Sequence, residues 1–325
     1  MDRSLWSSVS AVLRDAGQLE LPVKSSQRRA KPADYGAYFD LAFPLPSDSD
    51  REDEIRAAAS RQLIARLSVA DVSQPSAVDA PTKVSVPHVS TLGRTHYSKE
   101  AHDQLIRWMD IEPINPMGLA GGADDDLEKA RAQIERVFEI LQEAAPELHG
   151  ETVSIIDEIL SVRPDGTHRL EYGGGSTFAL WGLILINADA HDSWPQFCKA
   201  IVHEAAHNLL FAIGLKESLV LNDPDESYFS PVRDDRRPMD GIFHGFFVAA
   251  RESFAFDRIL AWDDENRALS AEERTAVIAL LEDSVINFWQ CDEAMARDVS
   301  FSPLGTAILA DCKDYMQRNF ALVSE

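Results

Sequence analysis

The sequence predicts an α+β fold that is mostly helical, with one small sheet packed on the helix that carries a His-Glu-x-x-His motif. Apolar residues recur with helical spacing through most of the 325 residues. Segments rich in β-branched and other apolar residues without that spacing are concentrated at about residues 152–187. No internal repeat of solenoid length is present. These observations favour a helical protein around a single small sheet.

Residues 1–90 are predicted to be a helical and extended region that ends in a linker. An amphipathic helix is expected over residues 4–14, and the aromatic segment 35–43 is expected to be a strand or a docked loop. Acidic residues open a further helix over residues 48–67, because carboxylates stabilise the positive end of a helix dipole. Residues 73–90 are interpreted as a linker that can contain a strand.

Residues 91–150 are predicted to be a second helical region. One helix starts near Ser98 and is ended by Pro113. A glycine-rich loop follows at residues 118–122, and a strongly periodic helix begins at Asp124.

Residues 151–265 are predicted to form the metal-binding core. Residues 152–162 are expected to be a strand, with a helix as the alternative. Further strands are expected over residues 169–172 and 178–187, with a glycine turn at residues 173–176. The motif helix is expected to begin at Asp192 or Ser193, to have Pro195 in its first turn and to end at Gly214.

A polar loop at residues 221–238 and a helix over residues 239–262 follow the motif helix. Residues 266–325 are predicted to be C-terminal helices packed on the core. Ser270 and Glu273 form a capping box at the start of the first of these helices, and Pro303 starts the last.

Charge and composition exclude several classes of function. The net charge is −23 and the sequence pI is about 4.7, which argues against a nucleic-acid surface and against binding to an anionic membrane. The N-terminus has no signal-peptide core, and no apolar run has the length of a membrane span. Three widely spaced cysteines suggest no disulfide framework, so we expect a cytoplasmic protein.

The His-Glu-x-x-His motif predicts a metal centre. Residues four apart lie on one face of a helix, so His203 and His207 can offer two imidazole nitrogens to one metal ion. Glu204 lies beside them as a candidate base for a metal-bound water. The rest of this helix is apolar, and burying these polar groups there is costly unless a metal or hydrogen bonds satisfy them.

A catalytic metal needs a third protein ligand and an open position. His244 is favoured, because it lies in an apolar helical segment where an unpaired imidazole has little else to bond. Glu252, two turns later in the same helix, is the first alternative. The carboxylates Glu217 and Glu226 in and around the polar loop are the others.

Three arginines, Arg233, Arg236 and Arg237, lie between the motif helix and the helix that carries His244. A guanidinium binds carboxylates bidentately, so a metal beside such a fork fits a co-substrate with a carboxylate, such as 2-oxoglutarate. Ion pairing with the aspartates of the same loop is the competing interpretation for each arginine.

The segment 178–262, roughly a quarter of the chain, resembles the His-Glu-x-x-His family of peptide β-hydroxylases from bacterial pathways for ribosomally made, modified peptides. The residues that carry the resemblance are Gly182-Leu-Ile-Leu-Ile-Asn187, Val202-His-Glu-Ala-Ala-His-Asn-Leu209, Leu221-Asn-Asp223, Tyr228-Phe-Ser-Pro-Val-Arg233, Arg237-Pro238 and Gly241-Ile-Phe-His244-Gly245. The N-terminal half and the C-terminal helices lie outside it.

The resemblance implies an enzyme that uses Fe(II), 2-oxoglutarate and O₂ to hydroxylate the β-carbon of a residue in a precursor peptide. The residues implied for the site are His203, His207 and His244 for iron, Arg233, Arg237 and Tyr228 for the co-substrate, and Glu204 for orienting a ligand or water. If Glu252 were the third ligand, the site would have the two-histidine, one-carboxylate set that is common in non-haem iron oxygenases. The strand at residues 183–186 is expected to pair with the extended peptide.

Two rival functions remain at this point. A zinc peptidase would use Glu204 as the general base on zinc-bound water and would give the arginines no role. A non-catalytic peptide-binding protein with a structural metal is the other rival. Structural zinc is usually enclosed by four ligands, often cysteines, and none of the three cysteines has such spacing.

Overall fold

The computed structural model describes residues 2–15, 30–43, 45, 51–68, 84–92, 99–110, 116–167 and 171–320. Within these ranges the chain is mostly helical with a small mixed sheet, which confirms the predicted α+β class. The helices are α1 (Asp2–Asp15), α2 (Pro32–Ala42), α3 (Glu52–Ser68), α4 (Lys99–Met109), α5 (Asp124–Ala144), α6 (Pro146–Ile155), α7 (Trp194–Ile213), α8 (Met239–Asn266), α9 (Ala271–Met295) and α10 (Pro303–Phe320). The strands are β1 (His88–Thr91), β2 (Leu119–Ala120), β3 (Glu158–Pro164), β4 (Gly174–Ser176), β5 (Leu183–Asn187), β6 (Tyr228–Ser230) and β7 (Asp235–Arg237).

The chain divides into two compact units, and neither is continuous in sequence. The sheet unit comprises residues 1–131 and 156–190, and the helical unit comprises residues 132–155 and 191–325. The five-stranded sheet therefore belongs to the first unit and the motif helix α7 to the second. The four sequence regions defined above stay a prediction.

The five-stranded sheet is built on the apolar strands β3 and β5. β1, β3 and β5 are parallel neighbours, β4 pairs antiparallel with β5, and β2 pairs antiparallel with β3. All five residues of β5 are buried, as expected for a parallel strand with neighbours on both sides. Because both edges of β5 are paired, the expectation that a peptide adds to this strand is wrong.

Several local predictions differ from the structure. Residues 35–43 lie largely in helix α2, where Pro32 occupies the first turn and Asp34 accepts a hydrogen bond from the backbone N–H of Lys31 at 2.8 Å. Part of the predicted turn at residues 173–176 is strand β4, which pairs with β5, and the predicted loop at 118–122 contains strand β2. The strand expected from residue 152 begins only at Glu158, because residues 152–155 finish helix α6.

Other parts of these expectations lie outside the described residues. Residues 169 and 170 of the second expected strand are among them, while Glu171 and Tyr172 are described and are not in a strand. Most of the expected linker at 73–90 also lies outside, although strand β1 begins near its end.

The helical unit is held by phenylalanines from α8 and α9. Phe243, Phe246 and Phe288 are fully buried, and the rings of Phe246 and Phe288 lie 4.4 Å apart. The expected helix ends are confirmed: Ser193 is the N-cap of α7, Gly214 is its C-cap, and the Ser270 capping box opens α9. The capping-box carboxylate of Glu273 also accepts a hydrogen bond from Trp194 Nε1 at 2.7 Å, so α7 and α9 are joined where both begin.

No helix within the described ranges is both long and apolar enough to cross a membrane.

The sheet unit depends on one buried carboxylate between α2 and α4. Asp40 is 2% exposed and accepts hydrogen bonds from Arg107, Gln104 and Trp108, each at 2.8 or 2.9 Å. A buried carboxylate is costly unless it is paired and hydrogen-bonded, and here each donor comes from α4. The cluster therefore fixes how α4 lies against α2.

Asp40→Ala is expected to lower the free energy of unfolding by about 3–5 kcal/mol, because it leaves a largely buried guanidinium and two further donors without their acceptor. Equilibrium urea unfolding measures this loss. Asp103→Ala is the matched control: it removes an α4 carboxylate in an exposed ion pair with Lys99 and should cost at most about 1 kcal/mol. Equal effects of the two substitutions would contradict the role assigned to Asp40.

Candidate metal centre

Helices α7 and α8 bring four chemically important side chains together. His203 and His207 lie one turn apart on α7, and His244 and Glu252 lie about two turns apart on α8. α7 contributes the motif, and α8 packs along it with an apolar face. Each motif histidine contacts one residue of α8.

The two motif histidines have the spacing that one metal ion requires. His203 Nε2 and His207 Nε2 are 3.3 Å apart, and their ring centroids are 4.9 Å apart. Two metal–nitrogen bonds of about 2.0–2.1 Å, meeting at tetrahedral or octahedral angles, separate their nitrogens by about 2.8–3.4 Å. The predicted pair of ligands is therefore placed correctly for a shared ion.

Glu252 is bonded to the opposite side of the His203 ring. Its Oε1 lies 2.7 Å from His203 Nδ1, and its Oε2 accepts a hydrogen bond from Ser284 Oγ at 2.7 Å. An ionised carboxylate only accepts, so the neutral ring of His203 donates from Nδ1 and keeps the lone pair on Nε2. The sequence offered Glu252 as an alternative third ligand. In the structure it lies where it orients the ligand His203.

His244 contacts His207 rather than His203. The two Nδ1 atoms are 2.9 Å apart, and the rings stack with centroids 5.2 Å apart. His207 therefore directs one nitrogen at each neighbour, and the three rings do not all point at one centre. As the described side chains are placed, no group of three or more His, Cys, Asp or Glu residues could hold a metal ion.

Imidazoles are common metal ligands, and the His203–His207 pair has the nitrogen separation that a shared ion requires. Three imidazoles lie in contact, and two of their nitrogens already have the separation of a shared ion. What the side chains do not show is a common focus for the third ring. The ligand pair is thus supported more strongly than the third position.

Burial and charge set the protonation of the three rings. Burial lowers the pKa of His203, but the hydrogen bond to Glu252 and the carboxylate charges of Glu204 and Glu252 outweigh it, so the pKa is raised. Burial, followed by the positive charges of its neighbours, holds the pKa of His207 well below its usual value. Burial also lowers the pKa of His244, against the opposing charge of Asp240.

The loop arginines differ sharply in their surroundings. The positive charge of Arg233 acts on both His203 and His207, where it lowers their pKa values, and Arg233 makes no hydrogen bond or ion pair with any described residue. Arg237 is held bidentately by Asp235, with Nε–Oδ1 at 2.9 Å and Nη2–Oδ2 at 3.0 Å. Arg236 donates to the hydroxyl and the carbonyl of Ser227.

The remaining candidate residues are Tyr228, Glu226, Glu217 and Glu204. The Tyr228 hydroxyl donates to Glu226 at 2.5 Å and accepts from Asn222 at 3.1 Å. Glu217 is exposed. Glu204 is 6% exposed, and its charge reaches His203.

Sequence reasoning did not find Ser284 or Lys199, which surround Glu252. Ser284 lies on α9, 32 residues beyond Glu252, and no motif spacing connects them. Lys199 does lie one turn before His203 in α7, so helical spacing alone could have placed it near the site.

The chain matches no model of a known protein family and no curated protein sequence.

His203→Ala and His207→Ala are each expected to lose nearly all bound metal, since each substitution removes one of the two facing Nε2 atoms. Elemental analysis after loading and desalting measures the metal content. His191→Ala, just before α7, is the control and should keep full occupancy. Full occupancy in either motif variant would show that the metal is held elsewhere.

Proposed function

We propose that the protein is an Fe(II)- and 2-oxoglutarate-dependent oxygenase that hydroxylates the β-carbon of a residue in a ribosomally made precursor peptide in the cytoplasm. The observation that supports this most is the combination of the two facing imidazoles with Arg233, whose guanidinium has no partner among the described residues and whose charge reaches both rings. A metal site with a cation of this kind fits a co-substrate that both chelates metal and carries a second carboxylate.

His203, His207 and His244 are proposed to hold the metal. His244 is preferred as the third ligand because it is the remaining imidazole in contact with the pair, whereas both oxygens of Glu252 are engaged by His203 and Ser284. Because His244 meets His207 at Nδ1, its ring must turn towards the Nε2 side to share the ion. When bound, Fe(II) supplies the redox chemistry that couples decarboxylation of 2-oxoglutarate to hydroxylation by O₂.

The other side chains provide orientation and exclude water. Arg233 binds the distal carboxylate of 2-oxoglutarate, and its planar fork fixes the orientation of that group. Phe211 forms an apolar wall, with ring centroids 6.4 Å from His207 and 5.4 Å from His244. Glu204 orients a water or a ligand beside His203, and the peptide is the partner whose residue is oxidised.

A zinc peptidase is the second candidate, and the buried Glu204 next to the facing histidines favours it. In that enzyme Glu204 would take a proton from metal-bound water, and Arg233 would be incidental. A structural-metal protein has less support, because structural zinc is usually enclosed by four ligands, often cysteines, and the three cysteines are widely spaced in the sequence.

Arg233→Ala is expected to keep metal and to raise the half-saturation concentration for 2-oxoglutarate. A hydrogen-bonded pair with a charged group is worth about 1.5–3 kcal/mol, or roughly 10- to 100-fold. Succinate formation, followed as a function of 2-oxoglutarate concentration with Fe(II) and O₂, measures the change.

Two matched arginines provide the controls for Arg233. Arg236→Ala should leave the half-saturation near that of wild type, since Arg236 is bonded to Ser227. Arg237→Ala should have a smaller effect than Arg233→Ala, because Asp235 already occupies the fork of Arg237. If Arg233→Ala turns over 2-oxoglutarate like wild type while Arg237→Ala does not, Arg237 is the anchor and the assignment to Arg233 is wrong.

Glu204→Gln distinguishes the two enzymes. In the oxygenase the variant should keep its metal and part of its 2-oxoglutarate turnover, because Glu204 is not a ligand. In a peptidase the loss of the general base should remove typically about 10²–10⁴-fold of the hydrolysis rate while zinc stays bound. Peptide hydrolysis by the zinc-loaded wild type, abolished in this variant, would overturn the proposed oxygenase.

A further inference from the structure

We propose that Glu252, held by Ser284 and Lys199, is a positioning residue that fixes the ring of His203 so that Nε2 faces the metal. The proposal rests on the proposed function only in taking His203 as a metal ligand. It is independent of the co-substrate and of the reaction.

Glu252 is a buried carboxylate, and both of its oxygens have polar partners. It is 2% exposed and lies in the middle of α8, among phenylalanines and alanines. Such a group is retained only where partners compensate for its lost hydration. Its partners are the His203 N–H, the Ser284 O–H and the charge of Lys199.

Ser284 and Lys199 restrict how Glu252 can turn. Ser284 is fully buried on α9, and its hydroxyl lies 2.7 Å from Glu252 Oε2 and 2.9 Å from the carbonyl oxygen of Leu280. Lys199 Nζ lies 3.8 Å from the same Oε2 and also pairs with Asp283. The carboxylate is thus held from α7 and α9 while it is attached to α8.

This arrangement determines which tautomer of His203 is favoured. A carboxylate at 2.7 Å accepts a hydrogen bond from the Nδ1–H group. The Nε2 atom is then left to donate its lone pair to the metal. Metal-bound histidines commonly donate their other N–H to a carboxylate in this way, and the loss of such a partner typically reduces metal affinity about 10- to 100-fold.

The variant Glu252→Gln distinguishes a role of Glu252 in positioning His203 from a role in filling the core. Glutamine has the same shape and can still accept from His203, and the Ser284 hydroxyl has the Leu280 carbonyl within reach as an alternative acceptor, so the core stays filled. The amide can also turn and donate to Nδ1. That orientation favours the tautomer with the proton on Nε2, which blocks the metal.

Two measurements test the inference in the full-length protein. Long-range ¹H–¹⁵N NMR of the metal-free protein, recorded above the raised pKa of His203 so that the ring is neutral, reports the tautomer of His203. His203→Asn is used for assignment. Competitive titration with Co²⁺ and Zn²⁺ reports metal affinity. Wild type should show the Nδ1–H tautomer, and Glu252→Gln should show a mixture and bind metal about 10- to 100-fold more weakly.

Asp257→Asn is the matched control, because it also converts an α8 carboxylate to an amide. Asp257 accepts from the Tyr315 hydroxyl at 2.9 Å and does not contact the histidines. Its metal affinity and its His203 tautomer should equal those of wild type. Lys199→Met and Ser284→Ala should lie between this control and Glu252→Gln, and they provide the test if Glu252→Gln does not fold.

The inference is overturned if folded Glu252→Gln keeps the Nδ1–H tautomer and binds metal within about threefold of wild type, well short of the usual effect of such a partner. It is also overturned if Asp257→Asn weakens binding as much as Glu252→Gln. Normal results here with no 2-oxoglutarate turnover in wild type would refute the proposed function and leave the role of Glu252 intact.

Discussion

The hydrogen bond between His203 and Glu252 is the constraint on which the rest of the site depends. It buries a carboxylate among phenylalanines, where it is stable only while His203, Ser284 and Lys199 surround it. Those partners come from α7 and α9, so three helices must meet in one register before the anion is satisfied. The same bond turns the Nε2 of His203 towards His207.

Because the whole molecule is strongly acidic, the positive charge of Arg233 is important for binding an anionic co-substrate. At a net charge of −23, the protein repels anions at long range. Salt screens that repulsion beyond a Debye length of about 8 Å at physiological ionic strength, so an anionic co-substrate is governed by the nearest groups. Burial keeps His207 and His244 largely neutral at pH 7, which leaves Arg233 as a permanent positive charge whose effect reaches both motif histidines.

The parts of the structure that depend on local chemistry could be predicted from the sequence. Ser193 and Gly214 bound the motif helix, Ser270 opens α9, and the spacing of His203 and His207 places two nitrogens on one face. Parts that depend on distant partners could not be predicted. β4 is a strand because β5 pairs with it. The partners of Asp40 in α2 come from α4, more than sixty residues later in the chain. The role of Glu252 likewise appears only when α8 lies against α7 and Ser284 arrives from α9.

The most direct test of the proposed centre is an anaerobic titration of the Fe(II)-loaded protein with 2-oxoglutarate, followed by visible absorption. Chelation of 2-oxoglutarate to Fe(II) gives a charge-transfer band, which should rise and saturate in wild type. The band should be absent in His203→Ala and should require much more 2-oxoglutarate in Arg233→Ala. A wild-type protein that binds Fe(II) through His203 and His207 but shows no band at saturating 2-oxoglutarate would contradict the proposed oxygenase.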